Sequence, residues 1–140
     1  VEDAKHGWVR ELPPQEMVVS QPSLFGGAVS YTSYKPSTDE CSGQGSSSLT
    51  SVYAFTGTAW VKNIFGEPDD ADNDGYVDYI RDIGKGLSLT PTIHIGDEPG
   101  ATMYVQSSTG AVTKAAQPNL PNPAGLTGDG GVGWHTHDLE

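Results

Sequence analysis

Glycine and proline punctuate this chain so densely that little room is left for a long helix. Together they make up 28 of 140 residues, or 20%, against about 12% in average usage. Both are costly in helix interiors. Between these breaks lie short apolar runs with the two-residue period of half-buried strands. A chain of this length is expected to form one domain, here a single β-domain spanning 1–140. No run approaches 18 consecutive apolar residues, so no membrane-spanning helix and no membrane insertion are expected.

The strand signals follow the breaks. Met17 to Val19, Leu24-Phe25 and Ala28 to Tyr31 read as apolar runs, the last two joined by a tight Gly26-Gly27 hairpin turn. Residues 35–48 read as a Ser/Gly-rich loop. Leu49 to Phe55 and Ala59 to Phe65 are strand candidates. Leu87 to Ile95 alternates, with Leu87, Leu89, Pro91, Ile93 and Ile95 assigned to one face. After a turn at 96–100 come Met103 to Val105, a Ser-Thr-Gly turn at 108–110, and Ala111 to Thr113. Residues 117–133 read as Pro/Gly-rich coil, and Trp134 to Leu139 as one last short strand. A weak repeat relates 20–33 to 89–108, with Pro22 and Pro91 in matching places, and Gly7 to Leu12 echoes Gly133 to Leu139. The expected fold class is all-β: an antiparallel sheet, built as a partial β-propeller of about two or three blades or as a compact β-sandwich, with long loops.

The net charge is −11. It disfavours nucleic acid and anionic membrane surfaces, which select basic faces, and it suits cations. Seven of the 18 acids fall in an acidic loop at 67–82, offset there only by Arg81. Within it, residues 70–78 read Asp-Ala-Asp-Asn-Asp-Gly-Tyr-Val-Asp. Calcium takes six to eight oxygens in a flexible shell. Asp70, Asp72 and Asp74, at alternate positions, converge if the backbone turns sharply, and Gly75 permits that turn. Tyr76 would offer its backbone carbonyl, and Asp78 would close the site directly or through water. The aspartates repel one another without a cation. Ca2+ is favoured over magnesium, which retains more of its waters. Arg81 stands where an EF-hand needs Glu, and the Gly and Pro of Asn63 to Pro68 leave no entering helix, so the expectation is a shorter calcium loop between β-strands.

Other constellations are weaker. His135 and His137 share a face if their segment is a strand, but no third ligand is near in sequence. His6 and His94 are isolated. Ser46 to Ser48 do not make a hydrolase without a Gly-x-Ser-x-Gly elbow, and no phosphate-binding glycine loop is present. An enzyme is therefore not expected. The three tryptophans and six tyrosines read mainly as packing residues, with a carbohydrate or protein contact surface as the sharper alternative. Cys41 is a lone cysteine in an acidic loop, excluding an internal disulfide and disfavouring a nucleophilic role.

The run 7–57 resembles the C-terminal region of PilY/PilC-type proteins, the type IV pilus tip-associated adhesins and biogenesis factors. The matching residues are Gly7-Trp8, Val18 to Pro22, Gly26-Gly27, Tyr31-Thr32, Pro36 to Ser42 and Val52 to Gly57. The pattern returns in 87–108. The resemblance implies a β-propeller region with a calcium loop that regulates pilus extension and retraction, its motif falling on Asp70, Asp72, Asp74, Asp78 and the Tyr76 carbonyl. It implies an extracellular or bacterial cell surface, outer-membrane, pilus-associated location. Partners would be pilin or minor pilins and a host or surface ligand. The sequence is far shorter than a full PilY-type protein and has no von Willebrand-like domain, so a C-terminal fragment of a larger protein is expected; it carries no Arg-Gly-Asp tripeptide, so integrin binding through that motif is not expected. The alternatives are a fragment of a quinoprotein-like propeller enzyme, and a purely structural surface module stapled by calcium.

Overall fold

The computed structural model describes residues 7–39, 41, 43–96 and 100–122. Seven strands form, and no helix occurs among the described residues: β1 Ser23–Phe25, β2 Ala28–Lys35, β3 Ser46–Tyr53, β4 Ile80–Lys85, β5 Thr92–His94, β6 Ala101–Gln106 and β7 Val112–Gln117. They make two antiparallel sheets, ordered β1-β2-β3-β4 and β5-β6-β7. The protein is all-β. The two sheets share a core in which Leu49 of β3 packs with Met103 and Val105 of β6 and Ala115 of β7, and the described residues hold no third sheet.

The β1–β2 hairpin follows from Gly26-Gly27. Both residues sit at positive φ, 57° and 81°, the conformation a two-residue turn needs to match strand twist. Phe25 then pairs with Ala28, and the register runs on through β2 and β3, where Ser30 faces Ser51 and Thr32 faces Leu49. These positions point toward the second sheet. Leu49 packs there with Met103 and Val105 of β6, Ala115 of β7 and Phe65. A second cluster joins Ala28, Ile64, Ala101 and Leu120, and Ile93 touches both.

Between the sheets the core is partly polar, and its hydroxyls are spent on bonds. Ser30 and Ser51 Oγ lie 2.6 Å apart, and Gln117 Nε2 donates to both, at 3.2 and 2.8 Å. Ser47 Oγ donates to the Gly86 carbonyl at 2.6 Å. Ser23 Oγ donates to the Pro91 carbonyl at 2.8 Å, tying the start of one sheet to the start of the other. Buried hydroxyls are tolerable where they find such partners; the Ser88 hydroxyl finds none, nor does the Gln117 Oε1.

Several expectations are corrected. Ser46 to Ser48 belong to β3, not to the 35–48 loop, and Ile80 to Asp82 belong to β4, not to the 67–82 loop. Ala59 to Phe65 is not a strand. Asn63 turns it: its Oδ1 accepts from Phe65 N at 2.9 Å and its carbonyl accepts from Gly66 N at 3.1 Å, while β4 takes the free edge of β3. Met17 to Val19 contributes one bridge, Met17 to Tyr34, rather than a strand. The single face assigned to Leu87 through Ile95 breaks at Pro91. Three residues, Leu89 to Pro91, stand opposite two, Val105 and Gln106. That extra residue inverts the alternation: Ser88 is buried and Leu89 is 51% exposed. The 117–133 coil is also altered at its start. Gln117 ends β7, Leu120 is buried, and Asn122 N donates to the Gly26 carbonyl at 2.8 Å. His6, Trp134 to Leu139 and the remainder of that coil lie outside the described residues.

Candidate metal centre

The long connection from β3 to β4 carries the aspartates. Its root is fixed by Asn63, which is buried. Asn63 N donates to Asp69 Oδ1 at 2.7 Å, and its Nδ2 donates to the Pro68 carbonyl at 3.3 Å. Asp78 N donates to the Asp69 carbonyl at 2.7 Å, closing the loop on itself. Glu67 and Arg81 lie 3.4 Å apart across the same root. Both are partly exposed, so that pair contributes less than about 1 kcal/mol.

Inside this frame the backbone amides orient the carboxylates. Asp70 accepts from Asp74 N at 2.9 Å through one oxygen and from Gly75 N at 3.0 Å through the other. Asp72 Oδ1 also accepts from Asp74 N, at 3.2 Å, and Asp74 Oδ1 accepts from Tyr76 N at 2.8 Å. Two residues turn the chain inward, Asn73 with φ 59° and Gly75 with φ 87°. Asparagine and glycine are the residue types that tolerate that region. One carboxylate oxygen each from Asp70, Asp72 and Asp74 then lies within 4.8 Å of the others.

The five sequence-derived ligands divide. Asp70, Asp72 and Asp74 come together. Asp78 does not join them: its Oδ2 accepts from Ala71 N at 2.8 Å, bracing the start of the loop. Tyr76 follows the turn, and its side chain is 76% exposed. Three convergent carboxylates are hard oxygen donors, the set that suits Ca2+ or Mg2+ rather than a thiophilic metal.

Charge crowding shows at Asp72. The Asp74 amide bond lowers its pKa, but loss of hydration, the Asp74 and Asp78 charges and a hydrogen bond with the Asp70 carboxyl together carry it above the ordinary aspartate value.

The sequence reading missed the anchors. Asp69 and Asn63 hold the loop root, and the Asn-x-Phe turn was the available signal. Arg10 was missed as well. It donates to the Gly57 carbonyl at 3.1 Å and to the Tyr79 hydroxyl, with its guanidinium 4.3 Å from the Tyr79 ring centre. Comparisons of the chain with family models, with curated proteins and with solved structures return no match.

Proposed function

We propose that this protein is a calcium-binding surface module in which the 70–78 loop is the metal site. The observation that carries the reading is the convergence of Asp70, Asp72 and Asp74 within 4.8 Å on a turn made by Asn73 and Gly75. Asp70, Asp72 and Asp74 supply carboxylate oxygens, and the Tyr76 carbonyl and Asp78 complete the shell through local adjustment or water. Calcium neutralises the cluster and orders the loop, which then presents or withholds a surface. Binding in the range typical of extracellular modules, Kd of about 0.1–1 mM, would make the loop responsive to ambient calcium.

The biological setting rests on the resemblance of residues 7–57 to the PilY/PilC-type C-terminal region. On that basis the module belongs to a type IV pilus-associated adhesin or biogenesis factor at the bacterial surface. Its calcium loop acts on pilus extension, retraction or adhesion, with pilin or minor pilins as partners. A structural-staple reading is favoured by one observation: Asn63, Asp69 and Asp78 tie the loop root to the core.

Titration calorimetry with calcium on the chain, beside Asp70→Ala and Asp74→Ala, tests the site. Saturable binding near one equivalent, abolished by both substitutions, is expected. Binding that survives both would refute it. Unchanged adhesion or piliation in a calcium-dead variant would leave the staple reading in its place.

A further inference from the structure

Beside the aspartate loop lies a cleft of about 550 Å3, lined by Arg10, Thr58, Trp60, Asp74, Tyr76 and Tyr79 among others. That volume falls within the range of small-molecule sites. The three aromatic residues come from separate places in the chain: the turn after β3, the acidic loop, and the residue just before β4. Trp60 is half-buried, held by the Tyr53 ring at 4.8 Å between centres. Tyr76 presents most of its surface to water. The cleft therefore offers apolar ring faces whose exposure a ligand would relieve.

Its polar groups narrow the ligand. Arg10 is fixed in place by the Gly57 carbonyl and the Tyr79 hydroxyl, bonds that use only part of its five-donor fork. Asp74 offers carboxylate acceptors. Arg10 disfavours an organic cation, and Asp74 disfavours an anion. An uncharged ligand that donates and accepts hydrogen bonds and has a flat apolar face suits both groups and the aromatic rings. We propose that this cleft binds a neutral saccharide, with one face of a sugar ring on Trp60 or Tyr76 and its hydroxyls shared between Arg10 and Asp74. The inference goes beyond the metal reading, with which it shares Asp74 and Tyr76, while Arg10, Trp60 and Tyr79 lie outside the aspartate ligands.

The test begins with the labelled chain, in calcium-containing buffer, on an array of neutral, sialylated and sulfated glycans. The strongest neutral glycan is then titrated against tryptophan fluorescence, beside a proline-rich peptide. Binding of a neutral glycan is expected. Tyr76→Ala should weaken it about tenfold, the scale of losing one aromatic anchor, and Trp60→Phe should also weaken it without emptying the core contact. Phe55→Ala, an aromatic outside the cleft lining, should leave it within about twofold. Absence of neutral glycan binding, binding confined to charged glycans, binding of the peptide instead, or affinity unmoved by Tyr76→Ala would each overturn the proposal. Calcium titration of the same variants reads the metal site separately, so failure of one reading is distinguishable from failure of the other.

Discussion

At Asp72 opposing pulls meet: an amide bond that favours the carboxylate and neighbouring negative charges that oppose it, with the balance on the raised side. A carboxyl whose pKa is raised on folding stabilises the fold below its unfolded value, and that contribution is lost as pH rises through the raised folded value. In the metal-free chain Asp72 thus favours the acid side. Calcium reverses the preference, because its ligands must be deprotonated. Calcium affinity is expected to hold near neutral pH and to weaken on acidification, with the onset above the ordinary aspartate value of about 3.9. Calorimetry across a pH series checks this. An onset at or below that value would separate Asp72 from the binding event. Residue spacing made this cluster legible, since alternate aspartates ahead of Gly75 can converge only if the chain turns there. The cleft was not legible, because Arg10 and Tyr79 meet from 69 positions apart.

Strand β7 ends in a residue that joins the two sheets. Gln117 is fully buried and donates to Ser30 and Ser51, which also bond each other, while its Oε1 has no partner. Its volume and its polarity make separable contributions. Gln117→Met keeps the volume and leaves the serine pair intact, so a change under about 1.5 kcal/mol is expected. Gln117→Ala opens a cavity and should cost about 2–4 kcal/mol. Urea unfolding of the two variants tests the difference, and equal losses would show that the hydrogen bonds dominate. Elements with strong local signals were readable here. The β1–β2 hairpin follows from Gly26-Gly27, and the repeat of 20–33 in 89–108 corresponds to a short strand and its partner in each sheet, with Pro22 and Pro91 just before β1 and β5. Strand β4 was hidden because Ile-Arg-Asp-Ile-Gly-Lys continues the charged run before it. Its strand character comes from the free edge of β3, with Leu49 opposite Arg81. Ala59 to Phe65 shows the converse. Its apolar residues do reach the core, Phe65 in one cluster and Ile64 in the other, but through an asparagine turn with no neighbouring strand to pair with.

For the whole molecule, the loop and the sheets form one linked system. Ile93 contacts both core clusters, and serine bonds cross between the sheets, so the fold should unfold in one cooperative transition. The aspartate loop lies within the β3–β4 connection, rooted at Asn63 beside Ile64 and Phe65. Order imposed on the loop therefore reaches the core through that root. A cation that binds only the folded chain stabilises it by about 2.7 kcal/mol at a hundredfold excess over Kd. For a chain of this size that corresponds to a rise in Tm of about 5–10 °C. Thermal unfolding followed by circular dichroism, with calcium and with chelator, should show this rise as a shift of a single transition. The shift should vanish in Asp74→Ala. A calcium-dependent shift that persists in that variant would place the stabilising ion elsewhere on this acidic chain. Two separate transitions would mean that the sheets do not share one core in the energetic sense, and that order in the loop is not passed beyond the sheet that carries it.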